Sequence, residues 1–126
     1  MSDLPPNCIL VDTPSTLSQT IAELYNLPIT LPPSLYVDLE GVDLCRNGRI
    51  SLIQIYASPT SKTYLVDVFT LGASTFLTTS TNGKTLKMLL EDVKIPKVFF
   101  DCRNDNDALW NLYQIDTGGT FFVYFI

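Results

Sequence analysis

Residues Leu35 to Gly41 read LYVDLEG, an apolar, strand-like run carrying two carboxylates one residue apart, Asp38 and Glu40. Successive side chains of a β-strand point to opposite faces, so Asp38 and Glu40 share one face while Val37 and Leu39 share the other. Two like charges that close repel, and burying either unpaired costs several kcal/mol. A divalent cation is the simplest compensation. Hard oxygen ligands on a rigid strand suit Mg²⁺ or Mn²⁺, whose usual substrate partner is a phosphate group. A strand that runs out into a solvated turn at Gly41 accounts for the same residues without an ion.

Downstream, Asn47-Gly48 is a tight-turn dipeptide, and Arg49 to Ala57 (RISLIQIYA) is strand-like in its Ile and Tyr content, which predicts a hairpin with the carboxylate strand. After a turn at Ser58 to Ser61, Thr63 to Phe69 (TYLVDVF) reads as a third strand bounded by Leu71-Gly72, completing an antiparallel meander. Asp67, near the end of that strand, reads as a hydrogen-bonded or exposed structural acid. Gly72 to Gly83 is a Ser- and Thr-rich loop. In Lys84 to Val93, Leu86, Leu89, Leu90 and Val93 fall on one helical face, so this segment is expected to cover the sheet. Pro96 ends it, and Lys97 to Asp101 (KVFFD) then forms a short strand reached by a helical crossover, hence parallel to a neighbour. Asn104 or Asp105 can cap a following helix with Ala108, Leu109, Leu112 and Tyr113 at helical spacing.

Upstream, Asn7 to Asp12 is a short apolar run. Thr13-Pro14 offers an N-cap with proline at the first helical position, and Leu17, Ile21, Leu24 and Tyr25 form one face of the helix that follows. Leu27 to Pro33 (LPITLPP) carries three prolines and must be an irregular connector. The fold class is therefore α/β with a mixed sheet and flanking helices.

At 126 residues and 46% hydrophobic, the chain can bury a core as one domain. Cys8, Cys45 and Cys102 are far apart and odd in number, which reads as reduced thiols in an intracellular protein. MSDLPPNC has an early acid, two prolines and no apolar run, so neither a signal peptide nor a membrane anchor is expected, and the location is expected to be cytoplasmic or nuclear. The absence of histidine excludes imidazole as base or ligand, leaving carboxylate chemistry. A net charge of −5 argues against broad electrostatic binding of nucleic acid, so any such contact must be local or metal-mediated.

With these motifs in view, the sequence resembles the DEDD superfamily of 3′-to-5′ exonucleases, in its ribonuclease D and Werner-type branch, whose fold is ribonuclease H-like. YVDLEG matches the family's first motif, followed by a second strand resembling SLIQI at Ser51 to Ile55. KVFFDCRNDNDAL matches the second, giving its aspartate to Asp105, its apolar position to Leu109 and its polar position to Asp101. Asp107 is the competing carboxylate, although it lies two helical positions from Asp105, about 200° around the axis. The resemblance implies a site of two Mg²⁺ or Mn²⁺ ions in which Asp38 bridges both, Glu40 binds the ion that activates the attacking water, and Asp105 holds the second. It also implies hydrolysis of phosphodiesters at single-stranded 3′ ends of RNA or DNA.

The family's third motif, a helix bearing Tyr or His and then Asp four residues later, has no counterpart in these 126 residues. The family-like region is expected to run from about 8 to 115, with 116–126 an atypical apolar tail without pattern and the domain incomplete at its C-terminus. That implies an impaired nuclease or, alternatively, a non-catalytic nucleic-acid- or protein-binding remnant of the fold. Nothing in the sequence specifies an oligomeric state.

Overall fold

The alternation in LYVDLEG is realised in a strand with neighbours on both sides. The protein is described by a computed structural model over residues 4–42, 49–100, 108–110, 112–117 and 121–123. Strands β1 (Cys8–Val11), β2 (Leu35–Val42), β3 (Arg49–Ala57), β4 (Lys62–Asp67), β5 (Lys97–Phe100) and β6 (Phe121–Val123) form one mixed sheet in the order β1-β4-β3-β2-β5-β6. β2, β3 and β4 make the expected antiparallel meander, while β1 pairs parallel with β4, and β5 parallel with both β2 and β6. The Asn47-Gly48 turn lies outside the described residues.

One face of the sheet is sealed. Leu35, Val37 and Leu39 of β2 join Ile53 and Ile55 of β3, Tyr64 and Val66 of β4 and Phe99 of β5 in a single buried cluster. Helix α1 (Pro14–Tyr25) closes it with Leu17, Ile21 and Leu24, and α4 (Leu86–Glu91) with Leu86, Leu89 and Leu90. Both helices start where a threonine can cap them. Thr13 Oγ1 accepts the Thr16 amide at 3.1 Å, Thr85 Oγ1 accepts the Met88 amide at 3.1 Å, and Pro14 stands where its missing N–H costs nothing. Ala108 and Leu109, in the helical residues 108–110, reach the same core.

Several elements depart from the sequence reading. The segment from Lys84 to Val93 is helical only over Leu86–Glu91, and Val93 is exposed rather than packed. Asp92 leaves the helical conformation and its side chain accepts the Lys94 amide at 2.9 Å, a local turn that competes with the helix. The third strand stops at Asp67, because Asp67 caps the one-turn helix α2 (Val68–Leu71), accepting from the Thr70 amide at 3.1 Å and the Thr70 hydroxyl at 2.6 Å. That is the structural part the sequence suggested for it. The Gly72–Gly83 segment contains a further turn of helix, α3 (Ser74–Leu77), with Thr75 and Phe76 buried. Gly72, at φ +57°, ends α2 in a conformation that side-chain-bearing residues rarely adopt. Residues 121–123, for which no pattern was expected, form β6 beside β5. Backbone groups can pair with a sheet edge without a local side-chain period when the tertiary fold presents one.

Candidate metal centre

The open face of the sheet carries the two candidate carboxylates of β2. Burial along β2 alternates residue by residue: Leu35, Val37 and Leu39 are buried, Tyr36 and Asp38 half-buried, and Glu40 exposed. Asp38 and Glu40 therefore lie on the face away from the helical core, with Cα atoms about 7 Å apart along the strand. Asp38 stands opposite Gln54 of β3, and Glu40 opposite Leu52. The register shifts between Glu40 and Gly41, a bulge of the kind that re-aims side chains beside active sites. Two hard oxygen donors on a central strand, one half-shielded and one open, fit Mg²⁺ or Mn²⁺ better than softer metals.

The parallel neighbour β5 runs out beside this point. Its register with β2 pairs Tyr36 with Val98 and Val37 with Phe99, so β5 ends at Phe100 at the level of Asp38, running in the direction of the carboxylate end. Asp101, Asp105 and Asp107, the acids expected there, lie outside the described residues. Leu109, expected as the motif's apolar position, is fully buried in the core. Among the described residues no group of three His, Cys, Asp or Glu side chains is placed to hold a metal.

The same face carries rings. Tyr36 lies 6.1 Å from Tyr56 and 6.3 Å from Phe100, centroid to centroid, in a row beneath Asp38. Across the carboxylate end of the sheet, an open cleft of about 300 Å³ lies between Arg49 and Ile50 of β3, Val68 and Phe69 of α2, and Tyr113. Burial pushes the Tyr113 phenol above its ordinary range. The sequence reading assigned no role to Arg49 or Phe69. The available signal was an arginine heading the strand that pairs with the carboxylate strand.

Away from the carboxylates, β5 begins at a buried lysine and β4 carries a tyrosine bound to helix α1. The Lys97 ammonium is buried and donates to the Asp92 carbonyl at 2.9 Å, and burial lowers its pKa to about 8, with the Asp92 carboxylate partly opposing the shift. The Tyr64 hydroxyl donates to Glu23 Oε1 at 2.7 Å; burial first, then that bond and the Glu23 charge, push its pKa far above the ordinary phenol range. Among the described residues no helix is long and apolar enough to cross a membrane.

Comparison with known proteins agrees with this architecture. The sequence matches a family described as 3′-5′ exonuclease over residues 8–125. The piRNA biogenesis protein EXD1 is 39% identical in Mus musculus and 38% in Homo sapiens over 87 residues, covering 69% of this chain and 14% and 15% of those proteins. RNase D of Trypanosoma brucei, solved in complex with RNA U12, superposes with a TM-score of 0.72 at 31% identity, over 90% of this chain and 36% of that one. The EXD2 exonuclease domain shares the fold at a TM-score of 0.68 and 23% identity, over 92% of this chain and 56% of that one. The chain thus spans a small part of EXD1 and about a third of that RNase D. A family match along nearly the whole sequence, on a mixed sheet shared with ribonucleases, means that the chain belongs to the 3′-5′ exonuclease family, in its ribonuclease D-like branch.

Proposed function

We propose that this domain binds the 3′ end of single-stranded nucleic acid at a divalent-metal centre held by Asp38, Glu40 and Asp105, and hydrolyses phosphodiesters there. The observation that carries the reading is the pair of carboxylates on one open face of the central strand, at the end toward which the adjacent parallel strand β5 runs. A divalent pair held by Asp38, Glu40 and Asp105 would make water a competent nucleophile and would stabilise charge on the leaving 3′ oxygen. The part of the chain is to fix its oxygens: Asp38 offers a half-shielded carboxylate and Glu40 an exposed one on the same face of β2. RNA in complex with the T. brucei RNase D makes RNA the first substrate to try.

The experiment is to incubate the chain with Mn²⁺ and a 3′-labelled single-stranded oligonucleotide, beside Asp38→Ala. Mononucleotide release, lost in Asp38→Ala, is the expected result. Equal release by both proteins would remove the site from Asp38. A second reading is a binding module of the same fold without turnover. It predicts Mn²⁺-dependent stabilisation lost in Asp38→Ala, with no release by either protein.

A further inference from the structure

The cleft at the carboxylate end of the sheet has the composition of a nucleotide subsite. Its floor is apolar and closed, with Ile50 3% and Val68 2% exposed. Its wall is the Tyr113 ring, braced by Phe76 at 4.4 Å between centroids. Two side chains stand at its rim: the exposed Arg49 and Phe69, which is 75% exposed. Among the described residues the Arg49 guanidinium has no ion pair or side-chain hydrogen bond, and the Phe69 ring has no aromatic or cationic partner. Arg49 and Phe69 thus stand together at one rim, a cation and an open ring with side-chain capacity to spare among the described residues.

Phosphate is the anion a planar guanidinium recognises through paired donors, and a nucleobase is the group that stacks on an exposed ring whatever its sequence. The position suits a strand whose 3′ end lies at the carboxylates. Arg49 pairs with Val42, two residues beyond Glu40, so by strand geometry its Cα lies about 8 Å from that of Glu40. An extended arginine side chain covers the remainder of the span of about one or two nucleotides.

We infer that this cleft receives a nucleotide of single-stranded nucleic acid lying 5′ of the terminal one, with Arg49 holding its phosphate and Phe69 stacking its base. The placement of the 3′ end rests on the metal-centre reading above; the cleft chemistry does not. A strand held at both points crosses the end of the sheet, which lets an acidic protein bind an anionic polymer through a few local contacts instead of a basic surface.

The test is fluorescence anisotropy of the full chain with 5′-labelled oligouridylate and oligothymidylate. Arg49→Gln is expected to weaken oligonucleotide binding roughly fivefold and to flatten the dependence of log affinity on log salt by about 0.7, the share of one phosphate on a single strand. Phe69→Ala is expected to weaken it roughly tenfold, and Phe69→Trp to retain it. Lys62→Gln, at the far end of β4, should leave it unchanged. Phe69 is mostly exposed, so its variants should melt as the wild type does. Unequal loss on RNA and DNA would identify the preferred polymer. Wild-type affinity in both Arg49→Gln and Phe69→Ala, or no oligonucleotide binding by the wild type, would overturn the subsite. The metal-centre reading fails separately, if Mn²⁺ shifts the melt of wild type and Asp38→Ala alike.

Discussion

The two faces of one sheet divide the work. On the helical face Val37, Ile53, Ile55 and Val66 are at most 1% exposed, while on the other face, residue for residue, stand Asp38, Leu52, Gln54 and Leu65, all half-buried. Each strand contributes to both because side chains alternate. The sealed face can therefore carry the stability and the open face can hold repelling carboxylates without placing either in a core. Charge that would be ruinous one residue along is tolerable where water, an ion or a ligand can reach it.

The largest test of that division is packing. Ile55→Ala, on the sealed face, should destabilise by about 2 to 5 kcal/mol in urea unfolding, whereas Tyr56→Ala, its neighbour on the open face and 38% exposed, should cost well under half as much. Equal losses would mean that the open face is also core.

The second test concerns the ion. An ion bound only by the folded state adds about 2.7 kcal/mol at a hundredfold excess over its Kd. Mn²⁺ is expected to raise the melting temperature of the wild type by a corresponding amount, and Asp38→Ala to abolish most of the rise. Identical melts would end the comparison in favour of a merely solvated face.

A third, smaller effect lies at the opposite end of the sheet. Lys97 has its pKa lowered from 10.5 to about 8 by burial, so between those values the unfolded chain binds more protons than the folded one. Stability should therefore rise as pH climbs from about 8 toward 10.5, by up to ~2 kcal/mol. Above about pH 10 the raised pKa of Tyr64 acts the other way, because the unfolded phenol ionises first and stability falls. Lys97→Met should be the more stable protein at pH 7 and lose its rise between pH 8 and 10.5. The Asp92 carbonyl keeps a partner in that variant, the Ile95 amide at 3.1 Å. A flat stability profile in the wild type would contradict the burial of a charged lysine.

The smallest effect is the cap. Asp67→Ala should cost about 1 kcal/mol by freeing the Thr70 amide and unwinding α2, read from the urea midpoint. It should also loosen the wall of the Arg49 cleft without touching the Mn²⁺ response.

Much of the candidate site was legible locally. The shared face of Asp38 and Glu40 follows from a period of two, and the caps at Thr13 and Thr85 from residue types whose side-chain oxygens take the first free amides of a helix. Asp105, expected as a motif residue, lies outside the described residues. Arg49 and Phe69 were not, because each is ordinary within its own segment and becomes informative only when β3 and α2 bring them to one rim.

What the sequence by itself determined is the alternation that splits β2 into an apolar and an anionic face, together with the starts of its main helices. These are short-range matters of backbone geometry and hydrogen-bond competition. Which face the helices would cover, that β1 would pair with β4, that an unpatterned tail would supply β6, and that Lys97 would be buried were decided only by the tertiary structure. Those outcomes depend on contacts between residues distant in the chain, where burial of the whole apolar surface outweighs what any one segment prefers.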